Sequence, residues 1–198
     1  LSKRLPKGYP KPLPRKEDVV RLLESCSGQG AKLAVGLAAF SGLRPGQVRE
    51  LAFSNLVEFS MARKQFSRIP SQIELRNEVT WRKYYTFLST SGCKHLLDDL
   101  STRSQVSSKE TVVTRRGLSE AGRLLRAAKV KWFELRHFFR GSCEWAELRL
   151  AKRPLPPEAI RFMLGNYVQE ELDLAPFDSK IVEMLRQGYS IVEKECFM

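Results

Sequence analysis

Arg44 is the residue best placed to do chemistry in this chain. It sits in Ser41-Gly42-Leu43-Arg44-Pro45-Gly46, a tight junction between two helical segments. The apolar run Leu33 to Phe40 stops at Gly42, and a second helix opens at Gln47-Val48-Arg49-Glu50-Leu51. Glycine suits a helix end and proline the first turn of the next helix. A guanidinium fixed between them offers several donors in a rigid fork, which suits an anion such as phosphate. The plainer reading is a surface arginine in a turn, and this segment alone leaves both readings open.

The bulk composition points the same way. Lys and Arg number 34 against 22 Asp and Glu, a formal charge of +12. That excess favours a polyanion partner, nucleic acid first and an acidic membrane surface second. No apolar run is long enough to span a bilayer, and no signal-peptide pattern opens the chain. Cys26, Cys93, Cys143 and Cys196 are scattered without a CxxC pair, so neither a zinc site nor a disulfide framework is expected. With only His95 and His137 present, histidine-based catalysis has little material.

The elements that must position these groups are mostly helical. Residues 1–15 carry Pro6, Pro10, Pro12 and Pro14 among lysines and arginines, which reads as an extended basic arm or linker. Helices are predicted from Lys16, over Ala31 to Phe40, and over Gln47 to Leu51. Ile73-Glu74-Leu75-Arg76 alternates like a strand, and Tyr84-Tyr85-Thr86-Phe87-Leu88 suits its partner, so a β-hairpin is expected. Helices resume over Lys94 to Leu100, and over Ser119 to Ala128 with Ser119 as cap. The Ser/Thr-rich, basic segment 101–118 reads as a loop. A long helical stretch covers Val130 to Leu150, another runs from Pro157 to Gly165, and a last one from Asp178 to Glu195. The aromatic cluster Trp132, Phe133, Phe138, Phe139 and Trp145 is expected in the core.

Three segments then fall into a recognisable order. Ser41-Gly42-Leu43-Arg44-Pro45-Gly46-Gln47-Val48-Arg49-Glu50-Leu51 resembles the first arginine box of the tyrosine recombinases, the phage-integrase family. Glu134-Leu135-Arg136-His137-Phe138-Phe139 resembles their second arginine box, and Met163-Leu164-Gly165-Asn166 their Leu-Gly-His element. The Tyr84-Tyr85-Thr86-Phe87-Leu88-Ser89 strand is similar to the archaeal branch of that family. The resemblance implies a mainly α fold with a small antiparallel sheet, the recombinase catalytic domain over residues 16–198. A DNA-clamping domain would precede it, with residues 1–15 as the linker.

It also implies a reaction. A tyrosine attacks a DNA phosphodiester, a 3′-phosphotyrosyl link forms, and the 5′-oxygen leaves with a proton. Two arginines hold the non-bridging oxygens, and a lysine on the hairpin supplies the proton. By resemblance Arg44 and Arg136 are the clamp and Lys83 is the acid, with Arg82 a poor second because arginine gives up its proton reluctantly. Arg82, Lys83 and Arg140 join the two arginines as expected DNA contacts. No cofactor or metal is implied. The implied partner is duplex DNA, with self-association into a tetrameric synapse, and the expected location is intracellular and DNA-associated, in the cytoplasm or nucleoid or in the host cell of a virus or mobile element.

The departures are as specific as the matches. Phe133 stands three residues before Arg136, where the family places His or Lys, and it cannot exchange protons. Asn166 replaces the Leu-Gly-His histidine and can still donate a hydrogen bond. At the nucleophile position the nearest aromatic is Phe177, which has no hydroxyl. Tyr189 is the alternative nucleophile, although it reads as part of the last helix, and Tyr167 falls too early. Phe177 is then either a Tyr-to-Phe change in a working recombinase or one mark of a relative that binds DNA without cutting it. His137, next to Arg136, is expected to pack in the core or to bond a backbone carbonyl.

Overall fold

Gln29–Phe40 (α2) is apolar on nearly every side, and a helix of that kind must be enclosed. It is the central helix of the computed structural model, which describes residues 13–77, 79, 82–103, 105–150, 153–166 and 179–197. Around α2 pack Lys16–Ser25 (α1), Thr90–Ser101 (α4), Arg115–Ala127 (α5) and Trp132–Leu150 (α6). Pro45–Glu50 (α3) follows α2 directly, while Pro157–Met163 (α7) and Ser179–Val192 (α8) close the chain, ending in a π-helical turn at Glu193–Phe197.

The strands form two small antiparallel sheets. Phe59–Ser60 (β1) pairs with Gln65–Phe66 (β2), a hairpin too short to announce itself in sequence. Ser71–Arg76 (β3) pairs with Lys83–Leu88 (β4) in the register Ser71↔Leu88 through Arg76↔Lys83. The fold is therefore mainly helical with two small antiparallel sheets. Both faces of the longer hairpin are covered. Tyr85 meets the Phe162 ring of α7 edge-on at 4.9 Å, and Thr86 Oγ1 donates to the Ser41 carbonyl at 2.9 Å.

Two further ties hold α8 and the turn after it to this frame. Arg186 of α8 is buried against Glu58, whose Oε2 also accepts from the Gln72 backbone at 2.8 Å. Glu193 accepts from the Thr90 backbone and hydroxyl at 2.6 and 3.0 Å. All four cysteines are buried and free. Among the described residues no helix is long and apolar enough to cross a membrane.

Three expectations need correction. Helix α5 begins at Arg115, with the Thr114 hydroxyl accepting from Gly117 N–H at 3.1 Å; Ser119 is an exposed interior position, not the cap. The first turn also packs closely on α2, since a Cβ on Gly117 would lie 2.6 Å from the Gly30 carbonyl carbon. Phe138 and Phe139 are core residues, but Phe133 and Trp145 are 48% and 50% exposed. The segment 101–118 is not wholly loop: α4 runs to Ser101, and Val112 and Val113 are buried, Val112 N–H donating to the Leu51 carbonyl at 2.7 Å.

Candidate phosphate site

The turn that presents Arg44 is built around Gly42. Its φ is +67°, and a Cβ there would lie 2.7 Å from Leu164 and 2.8 Å from Phe139. Both the left-handed backbone and the close packing demand glycine. Arg44 is then the N-cap of α3, its N–H donating to Gln47 Oε1 at 2.9 Å. The amide of Gln47 donates in turn to the Tyr84 hydroxyl on β4. Arg44 is exposed, but its backbone is fixed by this cap and by Pro45.

Arg136 approaches from α6. It is half-buried, and its Nη1 donates to the Gly42 carbonyl at 2.7 Å while Nη2 donates to the Leu164 carbonyl. One guanidinium thus bridges the turn after α2 and the turn after α7. Burial, and then repulsion from Arg44, push its pKa down to about 10, with the nearby Tyr84 hydroxyl acting in the opposite sense. An arginine in that condition gains from any anion that joins it.

The third turn supplies Asn166. Helix α7 closes with Gly165 at φ +65°, its N–H bonded to the Phe162 carbonyl at 2.8 Å and the Asn166 N–H to the Arg161 carbonyl at 2.9 Å. This paired closure fixes where Asn166 stands. Asn77 Nδ2 binds the Gly165 carbonyl at 2.8 Å, and the Tyr84 ring lies 2.7 Å from where a Gly165 Cβ would be. Asn166 Oδ1 accepts from Arg44 Nη2 and from Arg136 Nη2, both at 3.3 Å. Two guanidinium groups from distant parts of the chain therefore meet at one oxygen.

The hairpin does not bring Lys83 to that point. The ladder continues past the strands, Asn77 N–H donating to the Arg82 carbonyl at 2.9 Å. Alternation then puts Asn77, Arg82 and Tyr84 on one face and Arg76, Lys83 and Tyr85 on the other. The first face is the one that touches Gly165 and Gln47. Lys83 Nζ instead lies 3.7 Å from Glu74 Oε2. Arg82, the weaker candidate by acidity, is in the row that touches Gly165 and Gln47.

The remaining candidates separate cleanly. Tyr189 is fully buried in α8, its hydroxyl donating to the Phe40 carbonyl at 3.0 Å and its pKa pushed well up by burial. It is a core residue and cannot meet a phosphate from there. Arg140 is exposed, and its Nε pairs with Glu144 at 2.8 Å. His137 is half-buried with its ring edge-on to Phe133, and burial followed by the charges of Arg136 and Arg140 lowers its pKa. Phe177 and Tyr167 lie outside the described residues.

Gln47, Tyr84 and Asn77 were not singled out from sequence, yet they buttress the site. Gln47 had a local signal, standing at the third position after a helix cap, where a side chain reaches back to the cap N–H. Tyr84 and Asn77 had none, because their contacts depend on the hairpin register. The assembled groups can hold a tetrahedral oxyanion between two guanidinium groups. No protein-family profile, curated protein or solved structure matches this chain.

Proposed function

We propose that the chain is a duplex-DNA-binding domain of the tyrosine-recombinase type, in which Arg44 and Arg136 clamp one backbone phosphate for strand cleavage and rejoining. The observation that carries this reading is the shared oxygen. Both guanidinium groups donate to Asn166 Oδ1 at 3.3 Å, where a non-bridging phosphate oxygen would receive the same two bonds. The charge of +12 supplies the sequence-independent attraction to the rest of the duplex. In this reading Phe177 holds the nucleophile position and lacks the hydroxyl that attacks phosphorus. Several copies on one DNA would supply the synapse that strand exchange requires.

A second reading is favoured by the geometry around the clamp: a relative that grips DNA without cutting it. Phe133 replaces a proton-exchanging residue and is exposed, Lys83 is turned to Glu74, and Tyr189 is sealed in the core. One experiment separates the two. Arg44→Ala and Arg136→Ala are each expected to weaken duplex binding about tenfold, the scale of a lost charge-assisted hydrogen bond. Phe177→Tyr on a nicked duplex is expected to give a covalent adduct. Binding that ignores both alanine substitutions refutes the clamp. Arginine-dependent binding without an adduct leaves the second reading standing.

A further inference from the structure

Helix α5 carries a cationic face that the clamp does not use. Arg115, Arg116, Arg123 and Arg126 are all exposed. At 3.6 residues per turn they fall within an arc of about 100°, with Ser119 between them. The opposite side, including Gly117, Ala121 and Leu125, is buried against the body of the protein. Among the described residues none of these four arginines forms an ion pair. The helix has one acidic residue, Glu120, and it is already engaged by Ser27 N–H at 2.6 Å, Ser27 Oγ at 2.8 Å and Gly28 N–H at 3.3 Å.

The row continues beyond the helix. Lys129 is exposed and sits at φ +56°, a conformation that glycine takes more easily. Its N–H closes on the Arg126 carbonyl at 3.1 Å and the next N–H on the Leu125 carbonyl at 3.0 Å, so the reversal is sharp and the lysine stands at its apex. Lys131, also exposed, leads into α6, which carries Arg136 little more than a turn later. The cations therefore form a strip roughly 16 Å long on the helix, at 1.5 Å per residue, running to the end of the chain segment that delivers the clamp.

From this placement we propose that the Arg115–Lys131 face is a second DNA contact, binding phosphates of the duplex whose backbone enters the Arg44–Arg136 clamp. A strip of four exposed arginines complements a line of phosphates, and arginine forks are shaped for them; Glu120, which also interacts with Arg123, is the one carboxylate of the helix beside it. The inference rests on the DNA-binding reading above and extends the footprint away from the reacting phosphate.

The test is a salt titration of duplex-DNA affinity on four proteins. They are the unsubstituted chain, the triple variant Arg116→Gln/Arg123→Gln/Arg126→Gln, a charge-matched control Arg63→Gln/Lys64→Gln/Lys109→Gln, and Arg44→Ala. Glutamine is a good helix former and these arginines are exposed, so the fold is kept; far-UV circular dichroism checks it. The strip variant is expected to flatten the slope of log K against log salt by about 2–3, close to 0.9 for each lost phosphate contact. The control is expected to keep the original slope, and Arg44→Ala to lose no more than about one contact's worth. An unchanged slope in the strip variant overturns the inference, as does an equal loss in the control. So does a strip variant that binds DNA normally yet loses adhesion to phosphatidylserine vesicles. An unsubstituted chain that binds no duplex at low salt removes the DNA reading itself, a result distinct from any of these.

Discussion

Asn166→Asp places a carboxylate at the oxygen position that both arginines already address. Each Nη2 lies 3.3 Å from that oxygen. At this separation a unit charge pair is worth about 1.3 kcal/mol with the dielectric of water and about 5 kcal/mol at an effective dielectric of 20. Arg44 and Asn166 are exposed, so the lower figure governs, and solvent screening and side-chain ordering reduce it further. The two pairs together start from about 2.6 kcal/mol, and since the amide already forms both hydrogen bonds a net gain of about 1–2 kcal/mol is left. For a chain of this size that is a rise of roughly 3–6 °C in the melting temperature. Two guanidinium groups hold such a carboxylate below its ordinary value of about 3.9. The gain is therefore present above that value and lost as pH falls through the depressed one. In the same variant a phosphate must compete with the carboxylate, so duplex affinity is expected to fall at least about tenfold. Asn166→Ala serves as the control, with no thermal gain and a smaller loss of binding than the aspartate variant. Melting curves at neutral and strongly acidic pH, with anisotropy on a labelled duplex, measure both effects. A variant that melts no higher at neutral pH, or binds DNA as before, refutes the convergence of the two arginines on an anion position.

Other substitutions probe the frame around the clamp. Gly165→Ala pushes a methyl to 2.7 Å from the Tyr84 ring at a positive φ and is expected to cost about 2–4 kcal/mol in chemical denaturation. Gln47→Ala removes the side chain that caps Arg44 N–H and meets Tyr84; about 1 kcal/mol of stability and part of the duplex affinity are expected to go together. Tyr189→Phe loses the bond to the Phe40 carbonyl, and a loss of about 1 kcal/mol with DNA binding intact is the signature of a core residue. Lys129→Gly relaxes the left-handed turn, so a thermal melt is expected to rise by the equivalent of about 0.5–1 kcal/mol.

The sequence announces its reversals better than its long-range contacts. Gly42 and Gly165 mark helix ends locally, because a left-handed closure favours glycine whatever lies around it. The longer hairpin is legible from Ile73 to Arg76 and from Tyr84 to Leu88, since aromatic and alternating residues have few other uses at such a length. The start of α5 is only partly legible. Thr114 is a residue type that suits a cap and its hydroxyl takes the Gly117 N–H, but Arg115 and Arg116 suit either a helix or a loop, and the close approach of Gly117 to Gly30 exists only in the fold. On α6 the buried face runs through Leu135, Phe139, Ser142 and Ala146, which leaves Phe133 on the far side despite its hydrophobicity.

The hairpin shows why site residues are harder to read than elements. Whether Arg82 or Lys83 faces the clamp depends on one residue of register, because neighbouring side chains leave a strand on opposite faces. Acidity favours Lys83 and geometry favours Arg82. The sequence states the first and is silent on the second, which is set by the pairing of Arg76 with Lys83 and by the Asn77 bond to Gly165. Arg44 and Arg136 escape this ambiguity. Each is tied to a helix end or helix face whose orientation is forced by burial, and Arg136 donates to the Gly42 carbonyl, the very turn that presents Arg44. The two cations repel, yet the backbone carbonyls of Gly42 and Leu164 hold one of them in place. A phosphate entering between them would meet donors already aimed, and little reorganisation would oppose its capture.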